Sequence, residues 1–346
     1  MNPIVTVLMS VHNGLPFLSE AVDSILRQTF ADFEFIIVDD ASTDGTSDYL
    51  RALENPRIRV ISLSENIGLT AALNRGLRET RGEFVARQDA DDWSDPQRLA
   101  RQVAYLQTNP SCAVVGSQAR LVDGHGRSLG KKNFPLRHDG ICFAHLFDNC
   151  LAHSAAMFRL SIVAEAGGYD EAWTASQDYE LWSRLSVKSK LANLRQRLVT
   201  LRVREGSITQ THGRADLIRK VQAMHHTRVI GRAPSEADLD LISLVRTRVV
   251  PEKLREFRGL LDELVAAYVA ARPSASKTND FRRTLALLHE RIGYNLLTLA
   301  RGSACGELWR ALKTWPPAVF SFPWIRIAAL GIGGDSVRRL YGKVAR

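Results

Sequence analysis

Three carboxylates crowd into four residues at Asp89-Ala90-Asp91-Asp92, directly after the strand-like run Glu83-Phe84-Val85-Ala86-Arg87. Carboxylates at that spacing repel one another, and a folded chain gathers them where a cation relieves the repulsion. At a strand end residues i and i+2 project to one side, so Asp89 and Asp91 can address a single ligand. A hard divalent ion (Mg2+ or Mn2+) held by one or two carboxylates completes its shell with water and substrate phosphate. The plainer alternative is an acidic turn in which Ser94 or Asp95 caps a helix starting at Pro96. Capping accounts for Asp95 and leaves the earlier three unexplained.

A second cluster, Val38-Asp39-Asp40-Ala41-Ser42-Thr43-Asp44-Gly45-Thr46, also follows an apolar run. Ser42, Thr43 or Asp44 suits a helix cap, whereas the paired Asp39-Asp40 is free to accept hydrogen bonds from a base or ribose. In a third, Ser176-Gln177-Asp178-Tyr179-Glu180-Leu181-Trp182, Asp178 and Glu180 stand at the start of an amphipathic helix. Acidic residues there complement the helix dipole without any further role. His153-Ser154 is a weaker signal, because a lone histidine more often serves structure.

The elements that must position these groups alternate. Residues 4–11 form a nearly continuous apolar run, as a strand buried on both faces does. Pro16 then suits a helix start, and Leu18, Ala21, Val22, Ile25 and Leu26 recur at helical spacing. Apolar runs at 33–38, 58–61 and 83–87 are separated by further helix patterns. This alternation predicts a parallel sheet with right-handed crossovers, and ligands bind such sheets beyond the carboxyl ends of the strands. The polar clusters follow the second and fourth strands. After residue 110 the pattern becomes mixed, with strands read at 113–122, 155–159 and 192–203 and a helix around 179–187. From about 213 onward the pattern is helical, broken by Pro234, Pro251 and Pro273.

Taken together, Ser10-Val11-His12-Asn13, the Val38–Thr46 segment, Asn66-Ile67-Gly68-Leu69 with Asn74-Arg75-Gly76, the Asp89–Asp92 cluster, His153-Ser154 and Gln177-Asp178-Tyr179-Glu180 resemble the family 2 glycosyltransferases. The resemblance covers roughly residues 1–210. It implies a GT-A fold, a Rossmann-like α/β domain with a mixed, mainly parallel sheet flanked by helices; the C-terminal helical extension lies outside the resemblance. Ser10 and Asp40, with Asp39 beside them, are expected to face the nucleoside, and Asp89 the ribose or sugar. Asp91, with Asp89, is expected to hold a divalent cation bridging the diphosphate, and Asp178 to be the general base. Asn13, Asn66, Gly68, Asp92, His153 and Glu180 are the further expected substrate contacts. Two departures stand out. Gln177 replaces the acidic residue common before the base, and Arg202-Val203-Arg204 replaces a common Arg-x-His pattern.

The implied reaction is transfer of a sugar from a nucleotide-sugar donor to a hydroxyl of a saccharide or lipid-linked acceptor. One base and no protein nucleophile imply inversion at the sugar. A nucleotidyltransferase making nucleotide-sugars can share such a sheet, but it usually needs a Gly-rich, basic signature near the first strand, and Leu8–Asn13 offers none. A non-catalytic nucleotide-sugar-binding module has no need of base and metal cluster together.

The whole chain has 346 residues and a formal net charge of +9. Residues 1–212 hold 23 Lys and Arg against 25 Asp and Glu, so the excess lies in residues 213–346. The expected division is therefore a catalytic domain at 1–212 and a basic helical region at 213–346. Such a region is a solvated helical face or is drawn to an anionic polymer or membrane. Nucleic acid would leave the acidic clusters unexplained and is not an expected partner. The apolar stretch Trp315–Gly331, interrupted by prolines and Arg326, is too broken to span a bilayer and fits either an interfacial contact or burial. Cys112, Cys142, Cys150 and Cys305 have no metal-ligand spacing and read as reduced thiols. The expected location is cytoplasmic, with a possible peripheral contact on the inner membrane face.

Overall fold

The computed structural model describes residues 2–204, 214–245 and 251–296, with positions 310 and 314. Their contacts divide the chain into two compact units. The first comprises residues 1–138 and 149–221, and the second residues 139–148 with the chain from 222 onward. The boundary expected at 212 falls in residues 205–213, outside the described residues.

The first unit is built on a nine-stranded mixed sheet. Its strands are β1 (Val5–Val11), β2 (Phe33–Asp39), β3 (Ile58–Ser62), β4 (Phe84–Arg87), β5 (Trp93–Ser94), β6 (Cys112–Val122), β7 (Ser128–Lys132), β8 (Met157–Arg159) and β9 (Lys190–Arg202). They lie in the order β3-β2-β1-β4-β8-β6-β9-β5, with β7 added to β6. The four leading strands run parallel, as the alternation of runs predicts. Antiparallel pairing of β4 with β8 then turns the sheet into its mixed half.

Every residue of β1 is buried, which explains its continuous apolar run. Helix α1 (Leu18–Leu26) buries Leu18, Ala21, Val22 and Ile25, the residues spaced at its helical period. Helix α2 (Thr46–Arg51) follows β2, and α3 (Leu69–Leu77) follows β3. Gly76 lets α3 approach the sheet closely, since a Cβ there would lie 2.3 Å from Leu8 Cδ1. Helix α4 (Arg98–Thr108) starts two residues later than expected, and Ser94 is not its cap. Ser94 instead pairs in β5 with Val199 of β9, and its hydroxyl donates to Gln88 Oε1 at 2.7 Å. This short strand is too brief to show a periodicity. Helices α5 (His138–Ala144), α6 (Leu160–Glu165) and α7 (Gln177–Leu185) complete the stretch before residue 190.

The second unit is helical, with the part of α8 (Arg214–Ile230) from Gln222 onward, α9 (Glu236–Ser243), α10 (Leu254–Ala271) and α11 (Asn279–Leu296). A full capping box, Ser235 with Asp238, starts α9. Residues 139–148 join this unit because Phe143 and Phe147 enter its core with Phe257, Leu261, Leu264, Tyr268 and Phe281. Phe143 meets the rings of Phe147, Tyr268 and Phe281 edge-on at 5.7, 5.3 and 5.0 Å. No helix among the described residues is long and apolar enough to cross a membrane. The Trp315–Gly331 stretch lies outside the described residues, as does Cys305, while Cys112, Cys142 and Cys150 are buried free thiols.

Candidate active site

At the carboxyl ends of β1 and β2 two loops are clipped together. Asn13 takes a left-handed backbone (φ 55°), which asparagine tolerates. Its Oδ1 accepts from Thr43 N at 2.8 Å, and its N–H donates to Ser42 Oγ at 3.0 Å. Gly14 N and Leu15 N donate to Thr46 Oγ1 and Asp44 Oδ2 at 2.9 and 3.1 Å. Asp44 Oδ1 accepts from Thr46 N at 3.1 Å, but the N-cap of α2 is Gly45 and not one of the three residues expected to cap it.

Asp39 and Asp40 point to different neighbours, as adjacent strand residues must. Buried Asp39 accepts from Ser42 N at 3.1 Å and from Ser47 Oγ at 2.5 Å, bracing the loop into α2. Asp40 accepts from Ile67 N at 2.8 Å and Gly68 N at 3.0 Å. That brings Asp40, Asn66 and Gly68 together at the start of α3, where Gly68 has φ 85° and Asn66 Oδ1 also receives its N–H at 3.0 Å. Ser10 is buried on β1, in register with Val38.

The Asp89–Asp92 cluster lies at the end of β4, and each carboxylate has a different partner. Arg87, wholly buried, donates to Asp89 Oδ1 at 2.5 Å, and Ser154 Oγ donates to Asp89 Oδ2 at 2.6 Å. Burial pushes the Asp89 carboxyl up, but Arg87, His153 and Ser154 outweigh it and hold it below the usual range. Asp92 accepts from Arg202 N at 2.8 Å; burial, then Asp89 and Asp91, push it well up. Asp91 takes Nε of Arg204 at 2.9 Å, its only side-chain donor among the described residues. Burial and the Asp89 charge raise it. Arg202 closes this corner, its Nε donating to Asp91 O at 3.1 Å and its guanidinium lying over Phe17 and Trp93. Beneath the cluster, buried Arg98 donates to Arg87 O, Ala156 O, Gln88 Oε1, Ser94 Oγ and Gln102 Oε1.

Asp178 lies in the first turn of α7, after Ser176 in a left-handed conformation (φ 61°). Asn149 Nδ2 donates to Asp178 Oδ2 at 2.7 Å. His153, in a short 3-10 turn, shares a 2.9 Å hydrogen bond with Tyr169 Oη. Burial and then Arg87 push its pKa down to about 4, against the carboxylates of Asp178 and Asp89. The imidazole is therefore neutral near pH 7 and electrostatically coupled to both carboxylates. The loop carrying Tyr169 is fixed to α3 by Asn74, which donates to Tyr169 O at 2.8 Å and accepts from Tyr169 N at 3.0 Å. Glu180 is buried in an ion pair with Arg184 at 2.8 Å, and Arg184 holds Ala166 O and Gly168 O. That engagement anchors the loop from the side of α7.

Arg87, Asn149 and Tyr169 escaped the sequence reading. Arg87 alone left a signal, a cation inside a short apolar strand immediately before an acidic cluster. Asn149 and Tyr169 act through long-range contacts that no local spacing marks.

The glycosyl transferase family 2 model matches residues 6–166. The chain is 33% identical to the O-antigen biosynthesis glycosyltransferase WbnJ of Escherichia coli over 187 residues, 53% of this chain and 71% of that protein. It is 27% identical to an uncharacterized glycosyltransferase of Haemophilus influenzae over 277 residues, 76% of this chain and 85% of that one. Its fold is similar to that of S. aureus TarS residues 1–349 in complex with UDP-GlcNAc, with a TM-score of 0.57 at 16% identity, covering 92% of this chain and 90% of that one. With the site at the carboxyl ends of a GT-A sheet and these relatives, the chain belongs to glycosyl transferase family 2 and is a transferase.

Proposed function

We propose that this glycosyltransferase moves a sugar from a nucleoside-diphosphate donor to an acceptor hydroxyl with inversion, Asp178 acting as the base. The observation that carries the reading is that Ser154, beside His153 in one 3-10 turn, binds Asp89 at 2.6 Å, while Asn149, just before that turn, binds Asp178 at 2.7 Å. In this reading the base candidate and the acidic cluster belong to one site. The donor assignment draws support from TarS, whose structure holds UDP-GlcNAc, and the polysaccharide setting from the O-antigen name of the E. coli relative.

In this reading Asp40 and the Asn66–Gly68 turn line the nucleoside side, with Ser10 on the β1 floor and Asn13 shaping the rim. Asp39 acts indirectly by bracing the loop. Asp178 takes the proton of the acceptor hydroxyl, with Asn149 fixing one carboxylate oxygen so that the other is presented.

The donor set fits a divalent cation. Asp89 accepts from Arg87 and Ser154 on its two oxygens, whereas the Asp91 carboxylate meets one side-chain donor, Arg204, so Asp91 would be the ligand for Mg2+ or Mn2+, with diphosphate and water as the further ligands. Among the described residues no group of three metal-ligating side chains occurs. When bound, the cation neutralises charge on the departing diphosphate. Arg204, which pairs with Asp91 here, is placed to move from carboxylate to phosphate when donor enters.

The test is thermal unfolding with a panel of nucleotide-sugars, with and without Mn2+. A ligand that binds only the folded protein raises its apparent stability. One nucleotide-sugar raising the midpoint in a Mn2+-dependent way supports the reading. A flat response across the panel contradicts it.

A further inference from the structure

The near-neutral balance of residues 1–212 hides a segregation. Within 111–137 and 188–204, eleven Lys and Arg stand against one carboxylate, Asp123, and Asp123 is paired with Arg127. The fold lays these segments side by side as β6, β7 and β9. Arg120 on β6 sits directly opposite Lys131 on β7, a like-charge pair that costs stability unless an anion relieves it. Arg120 donates to the carbonyl of Arg197, and Arg197 to Asn133 Oδ1 at 2.8 Å. These contacts place the guanidinium groups without neutralising them. No carboxylate pairs with Arg120, Lys131, Lys132, Arg195 or Arg197 among the described residues.

All five residues of β7 are exposed, and Leu129 is 55% exposed. Lysines on an edge strand also guard against edge-to-edge pairing. That explains Lys131 and Lys132, but neither the arginines on inner strands nor the bare leucine between them. Apolar side chains set among cations are what an interfacial contact uses, whereas a soluble phosphate polymer has no use for Leu129.

We propose that this edge docks on an anionic membrane surface, with Arg120, Lys131, Arg195 and Arg197 against lipid phosphates and Leu129 in the interfacial layer. The β6–β7 turn hangs from Arg202, whose Nη1 reaches Gly124 O at 3.3 Å while its Nε holds Asp91 O. A membrane beneath the hairpin therefore lies beside the Asp91 corner, where a lipid-borne acceptor has to arrive. The docking itself rests on the charge pattern and does not depend on the identity of donor or base.

The test is co-sedimentation of the full chain with vesicles of phosphatidylcholine alone and of phosphatidylcholine with phosphatidylglycerol. Binding is expected only to the anionic vesicles and should weaken as salt rises. Each cation near such a surface contributes about fivefold in partitioning, so R120E/K131E should weaken it by at least about 25-fold. R120Q/K131Q should lose less, and serves if the reversal variant fails to fold. Leu129→Ser should weaken binding without changing its salt dependence. Thermal unfolding confirms that each variant is folded. The proposal is overturned by any of three results. One is indifference to anionic vesicles at low salt. Another is undiminished binding of both hairpin variants with loss on removing residues 315–346. The third is hairpin-dependent binding to dextran sulfate without vesicle binding.

Discussion

The buried guanidinium of Arg87 and the carboxylate of Asp89 form an ion pair at 2.5 Å across one intervening residue, Gln88. This cation lets three carboxylates persist at the end of β4. Without it, Asp89 would face Asp91 and Asp92 with Ser154 as its main donor. Arg87→Met should therefore cost about 2–3 kcal/mol, less than the penalty for a fully buried pair because the Asp89 side chain is 32% exposed. Denaturant unfolding measures it. A loss below about 1 kcal/mol would show that solvent already screens the cluster.

Asp91 stands in the opposite situation, since burial and the neighbouring Asp89 already oppose its charge. Asp91→Asn should leave the unfolding midpoint unchanged or raise it while transfer falls about 10²–10³-fold. Chelation of the native enzyme should give a comparable loss and add little to the variant. Full turnover in thoroughly chelated buffer would take the ion out of the reaction.

Asn149 holds one oxygen of Asp178 at 2.7 Å. Asn149→Ala should lower kcat by up to about a hundredfold through misplacement of the base. Donor KM should stay nearly constant, because the contact removed is the one to the base. A raised KM with unchanged kcat would assign the loss to binding instead.

The helical unit buries His225 and His226, each donating from Nε2 to a backbone carbonyl. Burial, the largest cause for both, pushes their pKa down to about 3 and about 4. Unfolded histidines titrate near 6.5, so below that pH the unfolded chain binds protons that the folded one refuses. Stability is therefore full above about pH 6.5 and falls on acidification toward the folded values. By pH 5 the loss is roughly 1–2 kcal/mol per histidine. Unfolding from pH 8 to pH 4.5 checks this, and the H225Q/H226Q variant should show a flatter profile. The same slope in that variant would place the acid sensitivity elsewhere.

What was legible in the sequence follows the range of the interactions involved. Continuous apolar runs ending in polar clusters marked β1, β2 and β4 and the site beyond them, because burial on both faces leaves a local signature. Asp178 stood out only through the family resemblance, since a carboxylate at the start of α7 is equally explained by the helix dipole. The partners of these groups were not legible. Asn74 was noticed as part of a motif, yet its work, holding the backbone of Tyr169, spans 95 residues. Residues 139–148 gave no hint that Phe143 and Phe147 pack with Phe257 and Tyr268, since nothing local distinguishes which core an apolar stretch joins. The charge count over residues 1–212 and 213–346 missed the basic edge of β6, β7 and β9. Strands distant in sequence assembled it, and an acidic first hundred residues masked it.

The central claim is that Asp178 removes the acceptor proton in a site shared with the Asp89–Asp92 cluster. Asp178→Asn keeps the size of the side chain and its contact with Asn149 while removing its basicity. Turnover with donor and acceptor, measured beside donor affinity on the same preparation, tests it most directly. The account predicts a fall in kcat of about 10²–10⁴-fold with donor affinity nearly unchanged. A variant that keeps its turnover and loses donor affinity would contradict it and make Asp178 a binding residue.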